Sequence, residues 1–170
     1  ASHNPDIAAQ WHPSKNGSLT PEQVTYGSTK RVWWLCPRGH EWKTIITART
    51  YMGSGCPVCS NRVIQAGYND LQTLYPALAA EWDTEKNAPL TPDQVGAGAE
   101  KKVWWRCPLG HSYQMSPWDR TSRNCDCPYC TGRKVLVGFN DLGSKRPEIA
   151  AQWHPSLNGP MTPQMVTEHS

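Results

Sequence analysis

One phenylalanine in 170 residues is an unusual shortage, and no apolar run approaches the roughly 18 residues a membrane-spanning helix needs. Only 38 % of the chain is hydrophobic, and 15 Pro and 13 Gly interrupt it often. A single large apolar core does not suit such a composition. Small units held by an added staple suit it better, since a small domain buries too little apolar surface to be secure alone. There is no Gly-rich phosphate loop and no convincing carboxylate pair for acid–base work. The opening residues Ser2, His3 and Asn4 are polar, so no cleavable apolar leader is expected.

What the chain has instead is nine Trp, seven Cys and a repeat. The run Lys30-Arg31-Val32-Trp33-Trp34-Leu35-Cys36-Pro37-Arg38-Gly39-His40 recurs as Lys101-Lys102-Val103-Trp104-Trp105-Arg106-Cys107-Pro108-Leu109-Gly110-His111, 71 residues on. The same offset carries Arg49 to Arg120, Cys56-Pro57-Val58-Cys59 to Cys127-Pro128-Tyr129-Cys130, and Gly67-Tyr68-Asn69-Asp70-Leu71 to Gly138-Phe139-Asn140-Asp141-Leu142. Trp11, Trp82 and Trp153 hold one position in three successive copies. A fixed period of this kind is the signature of a repeat architecture.

Each period reads as a helical part followed by a cysteine-bearing part. Pro76 to Trp82 suits a short helix opened by proline. Thr20-Pro21, Thr91-Pro92 and Thr162-Pro163 suit single-turn helices with a threonine N-cap. The β-branched and aromatic run Arg31 to Cys36, a turn at Gly39 and a return through Glu41 to Thr47 predict a hairpin. The expected fold class is small α+β zinc-stabilised repeats, with two zinc-ribbon or treble-clef-like β-hairpin modules alternating with short helical segments. The expected order is a helical half-repeat (1–28), zinc module one (29–66), a helical spacer (67–99), zinc module two (100–137) and a third helical half-repeat (138–170). That phase suits either an excised piece of a longer array or a capping half-repeat.

Two identical spacings, C-x3-H-x15-C-x2-C, pick out Cys36, His40, Cys56 and Cys59, and then Cys107, His111, Cys127 and Cys130. Three thiolates and an imidazole make a tetrahedral set for Zn²⁺, and four protein ligands close the shell as structural sites do. Two structural zinc ions are therefore expected, in a reducing cytoplasm rather than with disulfides. Catalysis is not expected. A zinc deaminase needs H-x-E before P-C-x-x-C, whereas Glu41 directly follows His40 and Ser112 follows His111. Cys125 falls where the first copy has Ser54, which argues against a ligand. His12 and His154 fall where the second copy has Asp83, which suits a surface loop rather than a metal site.

Charge is segregated. Residues 29–62 hold Lys30, Arg31, Arg38, Lys43, Arg49 and Arg62 against Glu41 alone, while the helical stretches are acidic. Residues 100–134 hold Lys101, Lys102, Arg106, Arg120, Arg123, Arg133 and Lys134 against Glu100, Asp119 and Asp126. Basic modules on acidic spacers are the pattern expected of a surface facing phosphates, although cations also offset a negative zinc–thiolate cluster. The cations recurring in both copies are Lys30, Arg31, Arg49 and Arg62, with Lys101, Lys102, Arg120 and Arg133. They are the expected nucleic-acid contacts. Strand alternation puts Val32, Trp34 and Cys36 on the inner face and turns Trp33 and Trp104 outward beside cations, where an indole can stack on a base or seal a helix.

The combination Val-Trp-Trp-x-Cys-Pro-x-Gly-His, Arg, Cys-Pro-x-Cys, Asn-Asp-Leu and Ala-Ala-x-Trp resembles the probable zinc-ribbon (treble-clef-like) tandem repeat family of bacteria and large DNA viruses. The resemblance covers nearly the whole chain. It implies a DNA-binding role, bacterial nucleoid association as one possible setting, and repeats that are sometimes joined to Vsr-like or other endonuclease domains. A fused or associated nuclease would supply any cutting. The reading is thus a non-catalytic tandem zinc finger that binds nucleic acid, DNA before RNA, as a targeting part of a larger protein, with no membrane. The alternatives are a protein-interaction array built on the Trp-bearing faces and a structural spacer.

Overall fold

The fold is that of a computed structural model, in which residues 4–169 are described. Every helix among the described residues is about one turn long. The first 69 residues contain α1 (Pro5–Ala8), a 3-10 turn at Pro21–Gln23, β1 (Arg31–Leu35), β2 (Glu41–Ile45) and α2 (Ile46–Thr50). The next copy contains α3 (Leu71–Leu74), α4 (Pro76–Ala79), α5 (Thr84–Asn87), a 3-10 turn at Pro92–Gln94, β3 (Val103–Arg106), β4 (Ser112–Met115) and α6 (Pro117–Thr121). Then follow α7 (Leu142–Lys145), α8 (Pro147–Ala150) and a 3-10 turn at Pro163–Met165. The chain divides into two units, Ala1–Asn69 and Asp70–Ser170.

Thr20, Thr91 and Thr162 each stand at the N-cap of a 3-10 turn, as expected, and at the first two the glutamine of the turn supplies a cap. Gln23 and Gln94 reach back to accept from the N–H groups of Thr20 and Thr91 at 3.0 and 3.3 Å. The hairpin strand is shorter than expected. It ends at Ile45 rather than running to Thr47, and α2 starts at Ile46. The second copy shows the signal for this break, because Ser116 caps α6 by accepting from Asp119 N–H at 3.1 Å, and Pro117 follows it.

Each hairpin is a two-stranded antiparallel ladder with Trp34 opposite Trp42 and Trp105 opposite Tyr113. Two strands alone are marginal, so a further layer is needed. The helical part supplies it. Leu35 N–H donates to Gln10 O at 2.8 Å and His12 N–H to Trp33 O at 3.1 Å, which lays residues 10–12 along β1. Arg106 to Glu81 (2.7 Å) and Asp83 to Trp104 (3.2 Å) repeat this beside β3. The indoles of Trp11 and Trp34 then meet edge to face at 5.5 Å, and those of Trp82 and Trp105 at 5.6 Å. The first two helical parts therefore each pack on the hairpin that follows.

Period-2 alternation sets the faces. Val32, Trp34 and Cys36 are buried, as are Val103, Trp105 and Cys107. One core gathers around Trp34 with Trp42, Ile46, Cys56 and Val58, and the other around Trp105 with Leu71, Trp82, Val95, Tyr113 and Cys127. Among the described residues no helix is long and apolar enough to cross a membrane.

Candidate metal centres

The first pair of ligands in each unit comes from the hairpin tip. Cys36 N–H donates to His40 O at 3.0 Å and Gly39 N–H to Cys36 O at 2.9 Å, which folds the tip into a knuckle. The bend needs φ = +84° at both Gly39 and Gly110, a conformation in which a Cβ is strained. The second pair comes from a turn after the short helix. There Ser60 N–H donates to Cys56 O and Thr131 N–H to Cys127 O, at 3.1 and 3.0 Å.

The two pairs converge. Cys36 Sγ lies 3.8 Å from Cys59 Sγ, and His40 Nδ1 lies 3.4, 3.7 and 3.2 Å from the sulfurs of Cys36, Cys56 and Cys59. In the second unit Cys107 Sγ is 3.8 Å from Cys130 Sγ, and His111 Nδ1 is 3.5, 3.8 and 3.3 Å from Cys107, Cys127 and Cys130. All ligand atoms of a set lie within 4.8 Å of one another. A tetrahedron with Zn–S near 2.3 Å has S···S edges of about 3.8 Å and S···N edges of about 3.5 Å, so the spacing fits zinc. The donor chemistry needs a cation too. Burial and the neighbouring thiolates push the Cys130 thiol up to about 12, and Cys59 is raised for the same reasons. Burial also acts to raise Cys36, but hydrogen bonds with the His40 and Arg38 backbone and with Cys59 and Cys56 together outweigh it and lower that thiol. Three thiolates this close repel one another unless a metal sits among them. The two sets fit two structural zinc ions.

A family model described as a probable treble clef zinc finger domain matches residues 7–62 and again residues 78–133. The chain belongs to that family. Each match begins in the helical part and ends just beyond the Cys-x-x-Cys turn, so it covers a helical part together with the hairpin it packs on. The comparison with curated proteins finds no match.

Around each zinc finger centre, side chains hold the ligand loops. Asn69 accepts from Gln65 N–H at 2.7 Å and donates to the carbonyls of Val58 and Val63, both at 3.0 Å. Asn140 does the same with Leu136 N–H (2.6 Å), Tyr129 O (2.7 Å) and Lys134 O (2.8 Å). These asparagines fix the loop after each Cys-x-x-Cys pair. Their recurrence in Asn-Asp-Leu was visible in sequence, but their role was not. The His40 ring packs on Tyr68 at 4.2 Å and the His111 ring on Phe139 at 4.2 Å. Cys125 stays outside the ligand set, with Arg133 Nη1 3.5 Å from its sulfur.

The expected phosphate contacts separate into three groups. Arg49 and Arg120 lie in the interior, only 6 % and 9 % exposed, and this corrects their assignment. Arg49 stacks on Trp34 and Trp42 at 4.9 and 5.0 Å and donates to Gln10 Oε1 at 2.9 Å. Arg120 stacks on Trp105 and Tyr113 at 5.0 and 5.7 Å, pairs with Glu81 Oε2 at 2.9 Å and donates to the Tyr113 hydroxyl. Burial lowers the Arg49 guanidinium, and the charges of Cys56 and Cys36 oppose that, so this cation faces its own zinc–thiolate cluster. Arg62 and Arg133 are exposed but are bound to the ligand loops, through Gly55 O at 3.2 Å and Asp126 O at 3.0 Å. Lys30, Arg31, Lys101 and Lys102 are exposed, and none makes an ion pair among the described residues.

Trp33 and Trp104 are half-buried on the outer hairpin face. Asn16 and Asn87 grip their backbone N–H and C=O groups at 2.7–2.9 Å. Lys15 and Lys86 lie over their rings at 4.9 and 4.4 Å, so a base stacking there has to displace a cation. His12 is buried rather than in a surface loop. Its Nδ1 accepts from the N–H groups of Ser14 and Lys15, which leaves Nε2 as the donor to Glu41 Oε1 at 2.9 Å. Asp83 does that capping in the second unit, accepting from Lys86 N–H at 3.1 Å.

Proposed function

We propose that the chain binds DNA through its phosphate backbone, without catalysis, and serves as the targeting part of a larger protein. The observation that carries this reading is the pair of cations at the entry to the first strand of each hairpin. Lys30-Arg31 and Lys101-Lys102 recur at one position, stay exposed, and have no acidic partner among the described residues. In the first hairpin Arg31 shares the outer face of β1 with Trp33, which pairs with Lys43, so its cations form a stripe rather than scattered charges. Two of the acids in these parts are engaged by other side chains. Glu41 binds His12 and Lys15, and Asp119 pairs with Arg123 at 3.3 Å.

The role expected of such a stripe is positioning on phosphates rather than reading of bases, because Trp33 and Trp104 are covered by lysines. The closed four-ligand zinc sites hold the hairpin tips and leave no open coordination position for a reaction. Cutting, where it occurs, belongs to a fused or associated nuclease, in a cytoplasmic or nucleoid setting.

The test is an anisotropy titration of the zinc-loaded chain on duplex DNA, single-stranded DNA and RNA at two salt concentrations. Replacing Lys30, Arg31, Lys101 and Lys102 by alanine lowers the logarithmic salt slope on duplex DNA by about 3 to 4 if all four meet phosphates. An unchanged slope in a variant that still holds two zinc ions rules the reading out. Binding confined to single strands or RNA retains the stripe and corrects the substrate.

A further inference from the structure

The outer hairpin faces of the two units carry cations that the repeat does not align. Lys15 and Lys86 occupy one position in the helical parts, and each reaches over its hairpin to lie on the outward indole, Trp33 at 4.9 Å and Trp104 at 4.4 Å. Both indoles are fixed platforms, because Asn16 and Asn87 hold their backbone groups. The two lysines are thus placed alike, but their charges are not equally available.

Lys15 is neutralised where it lies. It pairs with one oxygen of Glu41, whose other oxygen accepts from His12 Nε2 at 2.9 Å. The second unit has Ser112 at the position of Glu41, and Lys86 Nζ donates to that hydroxyl at 2.7 Å. The carboxylate behind Ser112 is Asp83, which pairs with Arg106 at 3.2 Å. Lys86 is exposed and makes no ion pair among the described residues. A lysine ammonium has three donors, so the one given to Ser112 leaves two for an anion.

The opposite strand reverses the imbalance. Lys43 faces Trp33 across the first ladder, exposed and 6.0 Å from the ring, with no ion pair among the described residues. Gln114 faces Trp104 across the second. Each hairpin therefore presents one available ammonium beside its outward tryptophan. The strand supplies it in the first unit and the helical part supplies it in the second.

We propose that Lys43 and Lys86 are equivalent phosphate contacts of the two units, and that Glu41 masks Lys15. The inference rests on the DNA reading above and adds one contact per unit to the cation pairs at 30–31 and 101–102. A phosphate oxygen can take the donors that Ser112 leaves on Lys86 while the ammonium stays on its indole. Lys15 gains little from a phosphate, because it would exchange one anion for another.

The test is the salt dependence of duplex DNA binding by the zinc-loaded chain, read by anisotropy, with two zinc ions per chain checked by native mass spectrometry. Lys43→Ala and Lys86→Ala each lower the logarithmic salt slope by about 0.9, the value of one phosphate contact. Glu41→Gln keeps an acceptor for His12, frees Lys15 and raises the slope by about 0.9. Glu22→Gln, the same charge change in a 3-10 turn, leaves the slope as it was, and adding Lys15→Ala to Glu41→Gln cancels the gain. The alanine set at Lys30, Arg31, Lys101 and Lys102 separates this proposal from the reading beneath it. If that set lowers the slope but Lys43→Ala or Lys86→Ala does not, the proposal alone falls. It also falls alone if Glu41→Gln and Glu22→Gln act alike. If the unaltered chain does not bind duplex DNA, both fall.

Discussion

The two buried arginines make the sharpest test, because their surroundings differ by two substitutions. Arg120 faces the half-buried carboxylate of Glu81 and the Tyr113 hydroxyl. Arg49 faces the neutral Gln10 and, at the tyrosine position, Trp42, and its Nη1 is buried with no partner. Arg120→Ala leaves Glu81 charged and unpaired in the interior, and breaking a buried pair costs about 3–5 kcal/mol. Glu81 is 23 % exposed, so the lower half of that range applies to the charge, and the lost stacking on Trp105 adds about 1 kcal/mol. Arg49→Ala loses stacking on two rings and a hydrogen bond of about 1.5–3 kcal/mol, and it relieves an unsatisfied donor worth about 1–3 kcal/mol. Its net cost is about 1–3 kcal/mol. The second unit should therefore suffer more from losing its arginine than the first, by about 2 kcal/mol.

Native-state amide exchange resolves the units separately, through β1 and β2 against β3 and β4. Free zinc must be buffered at one value, because zinc binding is linked to folding. The double variant Arg120→Ala/Glu81→Gln should recover about 1–2 kcal/mol over Arg120→Ala, since it removes the stranded charge. Equal losses in the two units, or a double variant worse than the single one, would refute the account. A change in DNA salt slope with unchanged stability would return these arginines to the surface role their recurrence suggested.

Other outcomes follow from the same contacts. Cys127→Ser should leave one zinc ion per chain by native mass spectrometry and unfold the second unit, with the first still loaded. Zinc binding should release protons, because burial and neighbouring thiolates raise Cys59 and Cys130 and the metal needs them as thiolates, so affinity rises with pH. Calorimetry in buffers of different ionisation enthalpy measures this, and a buffer-independent heat contradicts it. Leu71→Ala should cost the second unit about 2–5 kcal/mol in urea unfolding and spare the first. Asn87→Ala should cost about 1–3 kcal/mol by freeing both backbone groups of Trp104.

The metal centres were legible because a spacing that occurs twice is hard to produce by accident, and the hairpin faces were legible because strands alternate. The arginines show where that logic stops. Recurrence says that a residue is required in each copy and does not say whether it meets a ligand or a core. Arg49 and Arg120 recur because each fills the space between two aromatic rings beside a negative cluster. His12 misleads for the opposite reason. Asp83 replaces it, which suggested a surface loop, but both cap the same turn through a side-chain acceptor, so the change was conservative. The break before α2 was written in Ser116-Pro117 of one copy and hidden by Ile45-Ile46 in the other.

Asn-Asp-Leu is the motif whose meaning changes most between sequence and structure. Its three residues serve different ends. Asn69 ties down the loop after Cys56 and Cys59, Asp70 caps α3 by accepting from Thr73 N–H at 2.8 Å, and Leu71 anchors the core of the second unit. The zinc loop of one unit and the apolar core of the other are thus specified by residues two apart in the chain. The second unit needs few apolar residues because the metal holds one end of its hairpin and a leucine at the start of its helical part fills the other. That division accounts for how the second unit, with so little hydrophobic sequence, buries Trp105 completely. It also sets a limit that can be checked. A fragment of residues 75–137, which keeps all four ligands and loses Leu71, should bind zinc yet expose Trp82 and Val95, with the red-shifted emission of a wetted indole. Emission as blue as that of a fragment starting at residue 66 would show that the metal alone closes the core.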